Sequence, residues 1–233
     1  MWKLSSDTNL LQSWFYGESK SEAEQYEVIN FCISDSGQDI ALVQILRKKI
    51  LFFGVLTRIN RGPIFLTNNI SLEIQCKVIE AIINELKKDS FLVQIAPEMQ
   101  ESESVESKLK ELGFKRLTNI PWSSGRIDLS LSEDELLMSL NGKWRNCYRK
   151  GKKLGVKVLN VSDSKEELKN LLQQYESLQA KREFSGLSKS LITSLASKRN
   201  KLWSFNIFKA IDVTGNSLGY LVTIDHGETS IYL

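Results

Sequence analysis

The stretch NNISLEIQCKVIEAIINELKKD, residues 68–89, constrains the fold of this chain more than any other. Ile74, Val78, Ile79, Ile82, Ile83 and Leu86 recur at helical spacing and form one apolar stripe. Lys87 and Lys88 stand at the end where cations complement the helix dipole. Such a helix must bury its stripe against a second layer, and the neighbouring runs supply one. YEVINFCIS and IALVQILR are strand-like and separated by the turn DSGQD. ILFFGVLTRI is a third run, whose unbroken apolarity predicts burial on both faces. RINRGPIFLT then reads as a loop punctuated by Gly62-Pro63, SFLVQIAP as a buried strand, and SESVESKLKELGF as a helix stopped at Gly113. Further strands are expected near Lys115 and over RIDLSL.

A second unit is expected from Ser132. SEDELLMSL carries the spacing of a capping box, Ser132 with Glu135, and the same spacing recurs at Ser164 and Glu167 before the long helix SKEELKNLLQQYESLQAKREF. A shorter helix, SKSLITSLASKR, precedes three strand-like runs, LWSFNIFKAI, LGYLVTID and TSIYL. Both units interleave helices with strands, so the fold class is α/β (α+β) with mixed sheets flanked by helices, divided as residues 1–131 and 132–233. The last run ends in an apolar strand, an edge that proteins usually cover, so the sequence is expected to be part of a longer one.

Composition narrows the chemistry. The single histidine, His226, excludes multi-histidine metal sites, and no phosphate-binding glycine loop or EF-hand loop is present. No metal and no cofactor is expected. Three cysteines without CxxC spacing, and no secretory signal, predict reduced thiols in a cytoplasm.

The feature that asks for a function is NGKWRNCYRKGKKLGVKV, residues 141–158, with seven lysines and arginines and no acidic residue in a chain of net charge +3. As one helix over residues 136–152, it places Arg145, Arg149 and Lys152 on one stripe with Lys153 at its edge. Leu136, Leu140, Trp144 and Tyr148 form a separate apolar line for packing. The ordinary reading is a solvated helix end. Against it, no acid offers an intrahelical pair, like charges four apart cost a few tenths of a kcal/mol, and arginine's planar fork suits phosphate. An anion site is the better reading.

KWRNCYRKGKKLGVKV, followed by a long helix ending in LQAKREF, resembles the FemABX family of peptidoglycan bridge-forming aminoacyltransferases. LLQSWFYGESK, NRGPIF and LGYLVTIDHGETSIYL follow the family's order, so the resemblance spans essentially the whole chain. It implies two GNAT-like domains, the second partial. It also implies transfer of an amino acid from aminoacyl-tRNA to the stem-peptide amine of a lipid-linked or UDP-linked muropeptide precursor, with peripheral contact at the inner membrane face. Lys20 and one arginine of the basic helix would hold the acceptor's diphosphate. The register among Arg145, Arg149, Lys150 and Lys153 stays open, with Arg149 favoured. Arg61, before Gly62-Pro63, is a candidate to line the cleft.

One departure bears on mechanism. Where family members often carry an acidic residue before the strand-end proline, this chain has Ala96, with Glu98 nearby as an exposed loop residue. No catalytic residue is assigned. The family's basic residue near the aminoacyl end falls beyond Leu233, so these residues are expected to bind without turning over. Elsewhere, Arg182 near Phe184 reads as a helix-end charge or a cleft residue, His226 as an exposed turn residue, and Trp122 as either a stacking or a packing residue. Trp14 and Phe15 are expected to anchor the N-terminal segment.

Two other readings remain. An acyl-CoA-dependent N-acyltransferase of cell-surface polysaccharide synthesis lacks its glycine-rich pyrophosphate loop here. A nucleic-acid-binding module conflicts with charge confined to one stretch.

Overall fold

β-Branched and aromatic residues alternate with polar ones from Glu27 onward, and the backbone extends there into a sheet. The computed structural model describes residues 9–67, 70–117 and 124–233. A 3-10 turn (Leu10–Gln12) leads into α1 (Trp14–Glu24), then β1 (Glu27–Asp35), β2 (Gln38–Ile50), β3 (Gly54–Asn60) and β4 (Ile64–Phe65). There follow α2 (Leu72–Leu86), β5 (Ser90–Ala96) and α3 (Glu103–Glu111). The later residues form α4 (Glu133–Ser139), α5 (Gly142–Lys153), β6 (Lys157–Asn160), α6 (Lys165–Arg182) and α7 (Lys189–Ser197). β7 (Trp203–Ile211), β8 (Ser217–His226) and β9 (Thr229–Tyr232) close the order. Trp122 lies outside the described residues.

The first sheet runs β1-β2-β3-β5, with β4 also paired to β2. Its first three strands are antiparallel, and β3 and β5 are parallel. That parallel pair needs a crossover, and α2 supplies it. The stripe of α2 (Cys76, Val78, Ile79, Ile82, Ile83, Leu86) is buried. Val78, Ile82 and Leu86 pack on Ala41, Val43, Ile45 and Ile59 of the sheet. Each fully buried aliphatic side chain contributes about 1.5–3 kcal/mol. Ile74, expected on the stripe, is 42% exposed at the first turn.

The second sheet runs β6-β7-β8-β9 and is antiparallel throughout the described residues. Only the first sheet is therefore mixed, because the turns at Gly215 and Gly227 join neighbouring strands directly. A larger apolar cluster draws on both stretches of chain. Leu10, Tyr16, Tyr26 and Leu46 meet Leu172, Leu191, Leu195, Trp203, Phe205, Ile207 and Ile224 in it. Phe15 joins edge-to-face with Trp203 at 5.3 Å, an anchor as expected, whereas Trp14 is 62% exposed.

Several expectations are corrected. Leu51–Phe53 are not buried strand but the exposed turn between β2 and β3. Arg58–Asn60 continue β3 and Ile64–Phe65 pair with β2, so RINRGPIFLT is only in part a loop. β5 is a half-exposed strand, since it pairs on one side only among the described residues. Residues 114–117 and 124–131 form no strand. Glu167 does not complete a capping box: Ser164 accepts from its N–H, but its carboxylate accepts from Lys209 and Tyr220 instead. Those two partners hold the Glu167 carboxyl below its ordinary range. The box at Ser132 and Glu135 is complete. His226 is buried at 3% exposure, not an exposed turn residue, because its ring faces the core side of β8.

Candidate functional site

The basic stretch is not one helix with residues 136–152. Leu140 takes an extended conformation (ψ 147°), and the Asn141 side chain accepts from the Trp144 N–H at 3.1 Å to start α5. Asparagine competes for helix N–H groups in this way, so it caps rather than continues. The apolar line is broken with the helix. Trp144 and Tyr148 are 62% and 50% exposed, and α5 buries no residue among those described. The cationic stripe survives, since Arg145, Arg149, Lys152 and Lys153 all lie on α5.

Their environments differ. The Arg145 guanidinium donates to the Met138 carbonyl at 2.8 Å and to the Leu140 carbonyl, tying α5 to the end of α4. Lys152 stands over the Tyr148 ring at 5.9 Å. Arg149, Lys150 and Lys153 are exposed, and among the described residues no carboxylate lies within 4 Å of them. This arrangement offers a phosphate group a fork and two mobile cations on the last turns of one helix.

Lys20 is held differently. It forms an ion pair with Glu24 one turn on, and its ammonium lies 4.7 Å from the centre of the Tyr26 ring. Lys48 approaches the same ring at 5.0 Å and donates to the Glu24 carbonyl at 3.1 Å. Ser188 donates to the Glu24 carboxylate at 3.0 Å. Burial works to raise the Glu24 carboxyl, but the bond and charge of Lys20, with Ser188 and Lys48, outweigh it and lower the pKa. Beneath them burial, with Glu24 and Tyr26, pushes the Tyr16 hydroxyl up to about 12. α1 reaches this position because Gly17 lies directly on Gln44; a Cβ there would come within 2.6 Å of that side chain.

Arg61 follows β3 with a left-handed backbone (φ 53°), and its N–H donates to the Ala96 carbonyl at 2.7 Å. Its guanidinium donates to Ser124 at 3.1 Å and lies 3.7 Å from the Glu98 carboxylate. Arg126 lies 3.7 Å from the same carboxylate, which also accepts from the Asn9 amide at 2.7 Å. Glu98 is thus the centre of a cluster at the carboxyl ends of the two parallel strands, a place where ligands often bind in α/β sheets. Its only sequence signal is its position just past β5.

Lys20 and Arg61 are not brought together. Lys48, beside Lys20, pairs with Leu56, five residues before Arg61 and so about 16 Å along the strand. Among the described residues, no hydrogen bond or ion pair links α5 to Lys20. Arg182 is exposed at the end of α6, and Phe184 packs edge-on to Tyr175 at 6.2 Å. Sequence reasoning missed an open hollow of about 780 Å³ between the start of α6 and β7, lined by Asn160, Ser162, Asp163, Arg199, Ser204 and Asn206 together with the apolar Val161, Trp203 and Phe205. Alternating polar residues on a strand look like a solvated face in the sequence, and only the sheet shows that they surround a hollow. Cys32, Cys76 and Cys147 are all free. Among the described residues there is no group of side chains that would hold a metal ion, and no helix long and apolar enough to cross a membrane.

No family model matches this chain, and no curated protein matches it. Among solved structures it is similar to the crystal structure of FemX, with a TM-score of 0.66 and 18% identity. The match covers 95% of this chain and 54% of FemX, so the chain spans about half the length of that structure. The two share a fold, as the resemblance in the sequence implies.

Proposed function

We propose that this chain belongs to the FemABX aminoacyltransferases and holds the peptidoglycan precursor whose stem-peptide amine receives an amino acid from aminoacyl-tRNA. The observation that carries the reading is the cation row Arg149, Lys150 and Lys153, with no carboxylate within 4 Å among the described residues, on a chain with the fold of FemX. Arg149 takes the acceptor's diphosphate, and Lys150 and Lys153 add charge around it. Lys20 joins them by leaving Glu24 for a phosphate oxygen. Arg145, already bonded to main-chain carbonyls, positions the helix rather than the ligand.

The chemistry asks little of a protein base. An aminoacyl ester is activated, so placement of a neutral amine and help for the developing oxyanion dominate. The amine nitrogen forms the new C–N bond, the ester C–O bond breaks, and the ribose oxygen leaves with the proton that the amine gives up. Ala96 offers no carboxylate for that proton, and Glu98 is engaged by Asn9, Arg61 and Arg126. The acceptor's own phosphate is the relay in this reading.

Calorimetry with UDP-linked muramyl-pentapeptide tests it. The chain is expected to bind, and Arg149→Ala to weaken binding at least tenfold, about 1.4 kcal/mol, with an unchanged unfolding midpoint. No binding by either protein would end the muropeptide assignment. Salt-sensitive RNA binding in its place would make the chain a nucleic-acid module.

A further inference from the structure

The turn between β2 and β3 presents its apolar side chains to solvent. Leu51, Phe52 and Phe53 are 73%, 95% and 69% exposed. Phe91, at the start of β5, extends the tip: its ring centre lies 6.2 Å from that of Phe53, and it flanks Gly54. Hairpin turns in water normally carry asparagine, aspartate or glycine. Here Phe52 sits at φ 69°, a left-handed backbone that bulky residues rarely adopt and glycine adopts freely. The local backbone thus favours a different residue, and this one stands almost wholly clear of the described residues.

Cations stand at the base of the projection. Lys49 precedes it, and pairing of Val55 with Ser90 brings the end of α2, with Lys87 and Lys88, to the same end of the sheet. Lys88 is paired with Glu85, and Asp89 with Arg47. Lys49 and Lys87 are exposed and, among the described residues, have no carboxylate within 4 Å. A convex apolar tip with uncompensated cations at its base suits a fluid, negatively charged surface, where aromatic rings settle at the headgroup boundary and lysines meet lipid phosphates.

We propose that Leu51, Phe52 and Phe53, with Phe91, insert into the surface of an anionic lipid bilayer and orient the chain on it. Lys48 stands three residues before Leu51, about 10 Å along the strand, so the pair of lysines at Tyr26 then lies near headgroup level. Insertion of the tip stands on its own geometry.

Flotation of the whole chain with vesicles of phosphatidylglycerol and phosphatidylcholine, against phosphatidylcholine alone, tests the insertion. Binding is expected to the anionic vesicles, at least tenfold weaker to the neutral ones. The triple substitution Leu51→Ser, Phe52→Ser, Phe53→Ser is expected to lose at least tenfold while keeping its unfolding midpoint and its affinity for UDP-muramyl-pentapeptide. Arg149→Ala is expected to float as the unmodified chain does. Phe52→Trp adds a fluorophore that acyl-chain-brominated lipid should quench beyond the quenching of the native tryptophans. The proposal is overturned if the chain does not float, if binding ignores lipid charge, or if the triple variant floats unchanged. It is also overturned if Arg149→Ala abolishes flotation, which would make adsorption a property of α5, or if the triple variant changes only the oligomeric state. Loss of muropeptide binding with flotation intact would sink the enzymatic reading and leave this one standing.

Discussion

Gln12→Leu is expected to destabilise the protein by about 3–4 kcal/mol, a large part of the 5–15 kcal/mol that holds a typical domain folded. Gln12 is 4% exposed and stands where β3 parts from β2. Its amide nitrogen donates to the Gln44 carbonyl at 3.1 Å and to the Asn60 carbonyl at 2.8 Å. Its oxygen accepts from the Gln44 N–H at 2.7 Å. One side chain thus substitutes for a missing stretch of strand. Leucine fills a similar volume but strands these main-chain groups without partners, each at about 1–3 kcal/mol. Gly62 lies against the same side chain, where a Cβ would come within 2.5 Å, so the turn that carries Arg61 loosens as well. Urea unfolding checks this: the midpoint falls with little change in slope. Gln100→Leu, at an exposed loop position, should stay within about 0.5 kcal/mol. Equal effects at the two glutamines would show that Gln12 has no such role.

The second large effect is a loss of stability on mild acidification that depends on His226. Desolvation by burial lowers its pKa to about 4, against a smaller opposing influence of Asp225. In the unfolded chain the imidazole titrates near 6.5. A histidine depressed in this way contributes stability that is present above the unfolded value. As pH falls below about 6.5 the unfolded chain takes the proton first, and stability declines until the folded protein also protonates near 4. The full difference amounts to about 3 kcal/mol, with about 2 kcal/mol gone by pH 5. Urea unfolding of the protein and of His226→Leu, each at pH 7.5 and pH 5, measures it. Carboxylates such as Glu24 titrate alike in both proteins and drop out of the comparison. The unmodified protein should lose about 2 kcal/mol more than the variant, and parallel losses would refute the assignment.

Most of the fold is legible along the chain because its signals are local. Ser71, Ser102, Ser132, Asn141, Ser164 and Ser188 each accept a hydrogen bond from a helix's first turn, and such residues mark helix starts in any context. The stripe of α2 and the alternation in β7 identify the layers before any contact is known. The misreadings have two causes. ILFFGV looks like buried strand because apolar composition is assumed to mean burial, and its three central residues turn out to form a solvent-facing turn. Leu136–Tyr148 look like one helix because periodicity outweighed the Asn141-Gly142 pair, where a cap begins a new one.

The site was legible only in its charge. The absence of acids around Arg149 along the chain is a property of the sequence, and among the described residues no carboxylate lies within 4 Å of it. The cluster at Glu98 was not legible, since Asn9, Arg61 and Arg126 reach it from three distant places in the chain.

By itself, the sequence determined the order of helices and strands, where most helices begin, and the basic stretch, since each depends on residues within a few positions of one another. Tertiary structure alone decided the partners across the chain: Gln12 at the parting of two strands, His226 in the core, Lys48 beside Lys20 at the Tyr26 ring, and Phe52 left in solvent. Burial and pairing across the chain are set by which surfaces meet, and residue spacing carries no record of that.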